Sequence, residues 1–152
     1  MRRVFLALTG LLVLGLAACQ SPGKPGETGA APPPDEDVLT YAESSAGYVV
    51  LDQFRDMLGD GVVDLMLTTQ DQRHFRNAAG EALERKAEGQ KASWYNPLSG
   101  RGGQFTVISV FRGPDGRPCK RLTQKVLAGG RAHVVQSVAC KRGDESWSGF
   151  ES

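Results

Sequence analysis

The fold of this chain is decided by the stretch CKRLTQKVLAGGRAHVVQSVAC, residues 119–140. Its two halves have the composition of β-strands and flank a Gly-Gly pair, which is typical of a two-residue hairpin turn. With Gly129 and Gly130 as the turn, Ala128 faces Arg131. Continuing this register along both strands predicts that Cys119 lies directly opposite Cys140.

The two facing cysteines are predicted to form a disulfide. They lie an odd number of steps from the pair that flanks the turn, so they occupy a non-hydrogen-bonded site, where Cβ atoms come closest. That separation suits a disulfide, which an oxidising compartment permits. The alternative is a redox-active pair, but the chain lacks the Cys-x-x-Cys spacing and the βαβ pattern of such proteins. We expect the Cys119–Cys140 bond to contribute about 3 kcal/mol.

The sequence around this hairpin continues the β pattern. Alternation with a period of two begins at residue 93 and is clearest over residues 104–112. The turn sequence GPDG follows at residues 113–116. A last short strand is expected near Trp147. The pattern predicts a small antiparallel meander of three to four strands.

Two helical stretches precede the strands. Residues 48–67 place apolar side chains at helical spacing, with Gly59 and Gly61 as an interruption. The apolar run at residues 62–67 fits either a short helix or a buried strand, and we favour a helix. We interpret these apolar side chains as core, the alternative being a patch inserted in a membrane.

The second helix is predicted over residues 70–88. Thr69 is expected as its N-cap, with Gln72 completing a capping box. Its apolar residues form a single stripe, and Gly80 should cost about 1 kcal/mol relative to Ala. The predicted fold class is therefore α+β: N-terminal amphipathic helices packed on one face of the antiparallel meander, stapled by one disulfide.

The N-terminus has the features of an export signal. Arg2 and Arg3 precede an apolar run at residues 4–16, which is shorter than a membrane-spanning helix. The run ends in LAAC, residues 16–19, which resembles the bacterial lipobox, where the cysteine becomes the first mature residue and is acylated with palmitate-type chains. We predict a signal peptide at residues 1–18 and a lipid bilayer partner bound through Cys19. The alternative is an ordinary signal peptide with a chance cysteine.

A tether is predicted between this anchor and the folded domain. Residues 19–40 are rich in Pro and Gly and contain almost no large apolar side chain, so they bury too little surface to offset their conformational entropy. A proline-motif ligand is the alternative interpretation of this segment. The domain itself is placed at residues 41–152.

The stretch WYNPLSGRGG, residues 94–103, resembles the W-x-N-x-x-[ST]-G-x-x-G signature of a bacterial surface-antigen lipoprotein family. That family is known from the rickettsial seventeen-kilodalton surface antigen. The resemblance covers about residues 70–150 and implies an outer-membrane lipoprotein with a small β-rich domain and no established enzymatic activity. Family members often carry a glycine-zipper run before the helix, whereas residues 48–67 are charged and amphipathic here. The signature residues are Trp94, Asn96, Pro97, Gly100 and Gly103.

The physical interpretation of this signature is structural. Asn96 and Pro97 start a turn, and Gly100, Gly102 and Gly103 permit positive φ on entry to the next strand. Trp94 is interpreted as a core residue, the alternative being a platform for a ligand.

Charge is distributed unevenly although the formal net charge is only +1. Residues 35–64 are strongly acidic and residues 101–142 strongly basic. A basic sheet face could hold an anionic glycan or phosphate, whereas the alternative is that both regions are solvated or neutralise each other. Nucleic acid is not expected as a partner. The candidate anion-binding residues are Arg112, Lys120, Arg121, Lys125, Arg131 and Lys141.

The sequence lacks the motifs of known catalytic chemistry. His74 and His133 are isolated, and no nucleophile elbow, zincin motif or Walker loop is present. We therefore expect no enzyme, no cofactor and no metal site. The predicted function is that of a lipid-anchored cell-envelope protein with a structural or interaction role, located at the outer membrane and facing the periplasm or the cell surface. The alternatives are an anion-binding envelope module and an adaptor of an outer-membrane assembly complex.

Overall fold

The computed structural model describes residues 39–150. The predicted signal peptide, the acylation site Cys19 and nearly all of the predicted tether lie outside these residues. Within the described part, three helices are followed by five strands, so the chain has the predicted α+β class.

The helices are α1 (Ser45–Leu58), α2 (Asp60–Met66) and α3 (Thr69–Arg85). The hydroxyl of Ser44 caps α1 by accepting from the backbone N–H of Gly47. The apolar run whose structure was ambiguous in sequence forms α2, as the helical interpretation predicted.

The start of α3 differs from the prediction by one residue. The N-cap is Thr68 rather than Thr69, and its capping partner is Asp71 rather than Gln72. Thr68 Oγ1 accepts from the Asp71 N–H at 3.2 Å, and Asp71 Oδ2 accepts from the Thr68 N–H at 2.8 Å. The sequence offers two overlapping capping boxes, and the one with a carboxylate is favoured because negative charge is stabilised at a helix N-terminus. Gln72 instead accepts from Arg55 at 2.8 Å.

The sheet has one strand more than the upper limit predicted. Its strands pair antiparallel in the order of the sequence, and a β-bulge lies between Val107 and Ser109. The additional strand is Lys91–Asn96, whose six residues all pair with the start of the following strand. The strands are β1 (Lys91–Asn96), β2 (Arg101–Arg112), β3 (Pro118–Ala128), β4 (Arg131–Lys141) and β5 (Trp147–Gly149).

The central hairpin has the predicted register. Ala128 pairs with Arg131 across the turn, and Cys119 pairs with Cys140 at the far end. The two cysteines form a disulfide with their Cα atoms 4.0 Å apart.

The core lies between the helices and one face of the sheet. Phe75 of α3 is fully buried at its centre, and its ring contacts aromatic rings from α1, β2 and β1. The ring centroids are 5.3 Å from Phe54, 4.9 Å from Phe105 and 6.3 Å from Trp94. A single side chain thus joins four elements of the fold.

Gly80 has a packing role that helix propensity does not reveal. A Cβ atom at this position would lie 2.4 Å from Cβ of Tyr41. The glycine therefore lets the segment before α1 approach α3 closely, a packing role that comes in addition to the expected cost to the helix. No helix among residues 39–150 is long and apolar enough to cross a membrane.

Candidate functional site

A buried carboxylate organises the N-terminal end of α3. Asp71 is 0% exposed. Its two oxygens accept from Asn96 Nδ2 at 2.6 Å, Ser99 Oγ at 2.5 Å and Arg101 Nη1 at 3.0 Å. Together with the Thr68 N–H, four donors from two distant segments converge on one side chain. We call Asp71 and these three side-chain donors the Asp71 cluster.

The electrostatics of the cluster favour the ionised carboxylate. Burial by itself raises the pKa of Asp71, because a charge is poorly solvated in the interior. The hydrogen bonds from Ser99, Thr68 and Asn96 outweigh burial and lower the pKa to about 2. Asp71 is therefore a stable anion at neutral pH, and its acceptor capacity is used by the protein itself.

The family-like signature supplies the donors. Asn96 ends β1, and Pro97 opens the turn that leads to β2. Asn96 Oδ1 accepts from the Leu98 N–H at 3.0 Å, and the Gly100 N–H donates to the Asn96 carbonyl at 2.9 Å. Gly100 closes the turn with a φ of 68°. The signature thus folds a tight turn that brings the side chains of Asn96, Ser99 and Arg101 to Asp71.

The remaining glycines of this stretch act differently from the prediction. Gly102 and Gly103 lie in β2 and do not adopt positive φ. A Cβ on Gly103 would lie 2.6 Å from Trp94 Nε1, and one on Gly102 would lie 2.9 Å from the Trp94 carbonyl oxygen. Both glycines make room for β1 and for the indole of Trp94, which is buried in the core as interpreted from sequence.

The six candidate anion-binding residues do not share a face of the sheet. Lys120 Nζ donates to the Lys86 carbonyl at 2.7 Å, and burial lowers the pKa of Lys120. Lys141 Nζ lies 3.4 Å from Glu84 and 2.6 Å from Glu145. Both lysines therefore lie on the face covered by α3 and are already partnered.

Two of the others occupy the opposite, uncovered face. Arg121 lies over the ring of Phe111, and Lys125 is exposed four residues further along β3. Arg112 donates to the carbonyl of Gly116 in the following turn. The prediction of one continuous basic face is wrong because successive residues of a strand point to opposite sides. Anion binding by Arg121 and Lys125 stays a prediction.

Sequence reasoning missed Asp71 altogether. The pattern TTQD at residues 68–71 contains its signal, since a Thr followed three residues later by an acid is a capping box. Nothing local, however, indicates that the same carboxylate is buried under a turn 25 residues away. Within the described chain, no three His, Cys, Asp or Glu residues are grouped to hold a metal ion.

Comparison with known proteins bears on the signature directly. Residues 81–148 match the family model described as the 17 kDa outer membrane surface antigen. The 17 kDa surface antigen of Rickettsia prowazekii (strain Madrid E) is 32% identical over 78 residues, which are 51% of this chain and 49% of that protein. The 17 kDa surface antigen of Rickettsia bellii (strain RML369-C) is 25% identical over 147 residues, and the alignment covers 87% of this chain and 87% of that protein. No solved structure matches the chain.

The described residues form a small α+β domain held by a disulfide, and its signature is similar to that of a bacterial surface antigen. Residues 81–148 resemble the 17 kDa surface antigen family, in agreement with the resemblance seen in the sequence. The chain matches about half the length of the first of these relatives. The match begins within α3 at residue 81, so Asp71 lies before the matched range and its three side-chain donors lie inside it.

Proposed function

We propose that this protein is a lipid-anchored envelope protein, held at the outer membrane through Cys19, with a structural or interaction role and no catalysis. The observation that carries the proposal is the sequence LAAC at residues 16–19, directly after a short apolar run with a basic start. The relatives are named surface antigens, which supports a location in the cell envelope. In this proposal the acylated Cys19 binds the lipid bilayer, and the folded domain is held at the membrane by this anchor.

The interior of the domain supports this role. A disulfide is typical of proteins that fold in oxidising compartments such as the periplasm. Asp71, the one strongly perturbed carboxylate among residues 39–150, is enclosed by donors of the same chain. A catalytic acid would need access to substrate, whereas this group serves to hold a turn on a helix.

The anchor is tested by expressing the full chain in a bacterium that processes lipoproteins. Mass spectrometry should find an N-terminal peptide that begins at Cys19 and carries acyl chains. Cys19→Ser should move the protein from the membrane fraction to the soluble fraction, while Ser21→Ala serves as the matched control and stays with the membrane. A mature chain that keeps residues 1–18, or membrane attachment unchanged by Cys19→Ser, contradicts the proposal.

Protease treatment of intact and lysed cells then determines which side of the membrane carries the domain. Loss or release of the domain from intact cells would mean exposure at the cell surface. Protection until lysis would place it in the periplasm, where crosslinking of whole envelopes should capture a stable partner.

A further inference from the structure

The face of the sheet that points away from the helices carries positive charge and no carboxylate of its own. None of the five strands contains Asp or Glu. Lys91, Arg121 and Lys125 are exposed on this face, since each is next in the chain to a side chain that is buried on the helix side. We call this surface the open face. The charge of its own side chains therefore has one sign.

The sheet separates the acids of α2 from the open face. Val63 of α2 is fully buried in the core, so α2 belongs to the helix layer on the opposite side of the sheet. Asp60 and Asp64 lie in this layer, and Asp64 accepts a hydrogen bond from Arg55 at 3.0 Å. These carboxylates therefore leave the charge of the open face unchanged.

Two other acids approach the edges of the open face. Asp56 shares a groove with Arg121, which lies about 13 Å along β3 from Lys125. Glu88 accepts from the N–H of Val110, about 20 Å along β2 from the residue that pairs with Lys125. Neither acid lies beside Lys125, so the positive charge of this lysine is available to a ligand.

A pocket of about 310 Å³ lies beside Lys125 on the open face. Its floor is Gly102, which has no side chain to fill the space between Tyr95 and Leu127. The ring of Tyr95 rests against this glycine, with Cδ2 3.3 Å from the position that a Cβ would take. Tyr95 is 63% exposed and Leu127 is 52% exposed. The polar wall of the pocket is formed by Ser93, Gln104 and Lys125.

The pocket lining consists of two rows across the sheet. In one row Tyr95, Gly102 and Leu127 are neighbours on three adjacent strands and offer an apolar surface. In the other row Ser93, Gln104 and Lys125 are neighbours and offer a hydroxyl, an amide and an ammonium group. The rows are about 7 Å apart, so one small ligand can contact both.

A sugar ring that carries a negative charge fits these two rows. The C–H groups of a pyranose ring form an apolar face that packs on an aromatic ring, while its hydroxyls project from the rim towards hydrogen-bonding groups. Gln104 Nε2 lies 3.4 Å from Ser93 Oγ, so both groups address the same side of the pocket. No Asp or Glu lines the pocket, and the ammonium of Lys125 therefore favours a ligand with a carboxylate.

We propose that this pocket binds an acidic sugar unit of a cell-envelope glycan, with the sugar ring on Tyr95 and its carboxylate on Lys125. Gln104 and Ser93 bind the hydroxyl groups. This inference rests on the proposed envelope location and names a class of partner for the interaction role. It does not require the acyl anchor, because every residue that lines the pocket lies within residues 39–150.

The test uses residues 39–150, which contain every described helix and strand, the core and the disulfide. The purified segment is titrated with trigalacturonate, a chain of three acidic sugars, and binding is followed by NMR. The amide signals of Tyr95, Gln104 and Lys125 should shift together, and salt should weaken the binding. The neutral methyl ester of the same trisaccharide should bind about tenfold more weakly, because it keeps the rings and loses the charge. Tyr95→Ala and Lys125→Gln should each weaken the binding of trigalacturonate about tenfold.

Lys91→Gln is the matched control, because Lys91 is an exposed lysine of the open face that does not line the pocket. It should bind trigalacturonate like the unaltered segment, and the urea unfolding midpoints of all variants should agree. Absence of binding overturns the proposal, as does an equal loss in Lys125→Gln and Lys91→Gln. Displacement of trigalacturonate by an equal concentration of inorganic phosphate also overturns it, since the pocket would then accept any anion. None of these results depends on Cys19, which the segment lacks, so failure of the anchor is recognised separately.

Discussion

Asn96 donates a 2.6 Å hydrogen bond to one oxygen of Asp71, whose other oxygen completes the capping box of α3 with Thr68. One carboxylate thereby binds the turn between β1 and β2 and also stabilises the N-terminus of α3. Because the donors and the acceptor are 25 or more residues apart, the contact fixes the helix layer against the sheet. The signature residues therefore matter for how the two layers meet.

Replacing the carboxylate should destabilise the domain strongly. Asp71→Asn keeps the shape of the side chain but removes the charge that four donors address, so the free energy of unfolding should fall by about 3 kcal/mol. Urea unfolding of residues 39–150 measures the change. Asp52→Asn, at an exposed position of α1, is the control and should alter stability by less than about 0.5 kcal/mol. Equal effects of the two substitutions would contradict the role assigned to Asp71.

The same carboxylate predicts a specific acid sensitivity. Its pKa is about 2 in the folded protein against an ordinary value of 3.8, so folding favours the ionised form. The resulting stabilisation is fully present above the unfolded-state pKa and is lost as the pH falls towards 2. Between about pH 6 and about pH 2, the unaltered domain should lose about 2 kcal/mol more than Asp71→Asn. Parallel stability curves for the two proteins would rule out this linkage.

Two glycines in helices should respond in opposite directions to alanine. Gly80→Ala places a Cβ against Tyr41 and should destabilise the domain by about 1–3 kcal/mol, although alanine favours helix. Gly61→Ala adds a Cβ in open space within α2 and should be neutral or stabilise by up to about 1 kcal/mol. Thermal unfolding of both variants tests the contrast, and a stabilising Gly80→Ala would refute the close packing.

The structural role of Lys120 can be distinguished from the effect of removing any exposed lysine. Lys120→Ala removes a cation that donates to the carbonyls of Ala82 and Lys86 at the C-terminal end of α3, so stability should fall by about 1–2 kcal/mol. Lys125→Ala, at an exposed position of the same strand, should change stability by less than about 0.5 kcal/mol. Chemical denaturation of both variants distinguishes the two roles, and equal losses would place Lys120 among ordinary surface lysines.

The disulfide should contribute to stability through the unfolded state. The double variant Cys119→Ala, Cys140→Ala should unfold about 3 kcal/mol more easily than the oxidised domain, since the bond closes a loop of 21 residues. Adding reductant to the unaltered domain during unfolding should give a similar loss and should leave the double variant unchanged. A double variant as stable as the oxidised domain would contradict this estimate.

Sequence patterns were sufficient for the helices, for four of the five strands and for the central hairpin. Gly129 and Gly130 define the turn, and the turn alone determines that Cys119 faces Cys140. Helix periodicity identified the apolar stripe of α3, which includes Phe75. These predictions succeed because they depend on local geometry or on a register counted from one turn.

The candidate site was less predictable because its contacts are distant in sequence. Counting basic residues placed Lys120 and Arg121 together, although adjacent residues of a strand face opposite ways. In the sequence, Asp71 looks like an ordinary acidic residue of a capping box. Only the structure shows that Asn96 and Ser99 donate to it. Likewise, glycine is a poor helix former, so the sequence alone gives no reason for Gly80 in α3. The reason is the close approach of Tyr41, which is seen only in the structure.

The strand order of the sheet bears on how the domain assembles. Every strand pairs with the one made just before it, from β1 to β5. A chain that is delivered from its N-terminus can therefore add each new strand to an edge that is already present, after the helices have emerged. Asp71 would find Asn96, Ser99 and Arg101 when the first hairpin arrives, whereas Glu84 of the same helix would find its partners Lys141 and Trp147 only later. Such local connectivity favours rapid folding and shortens the time during which an unpaired edge is open to aggregation.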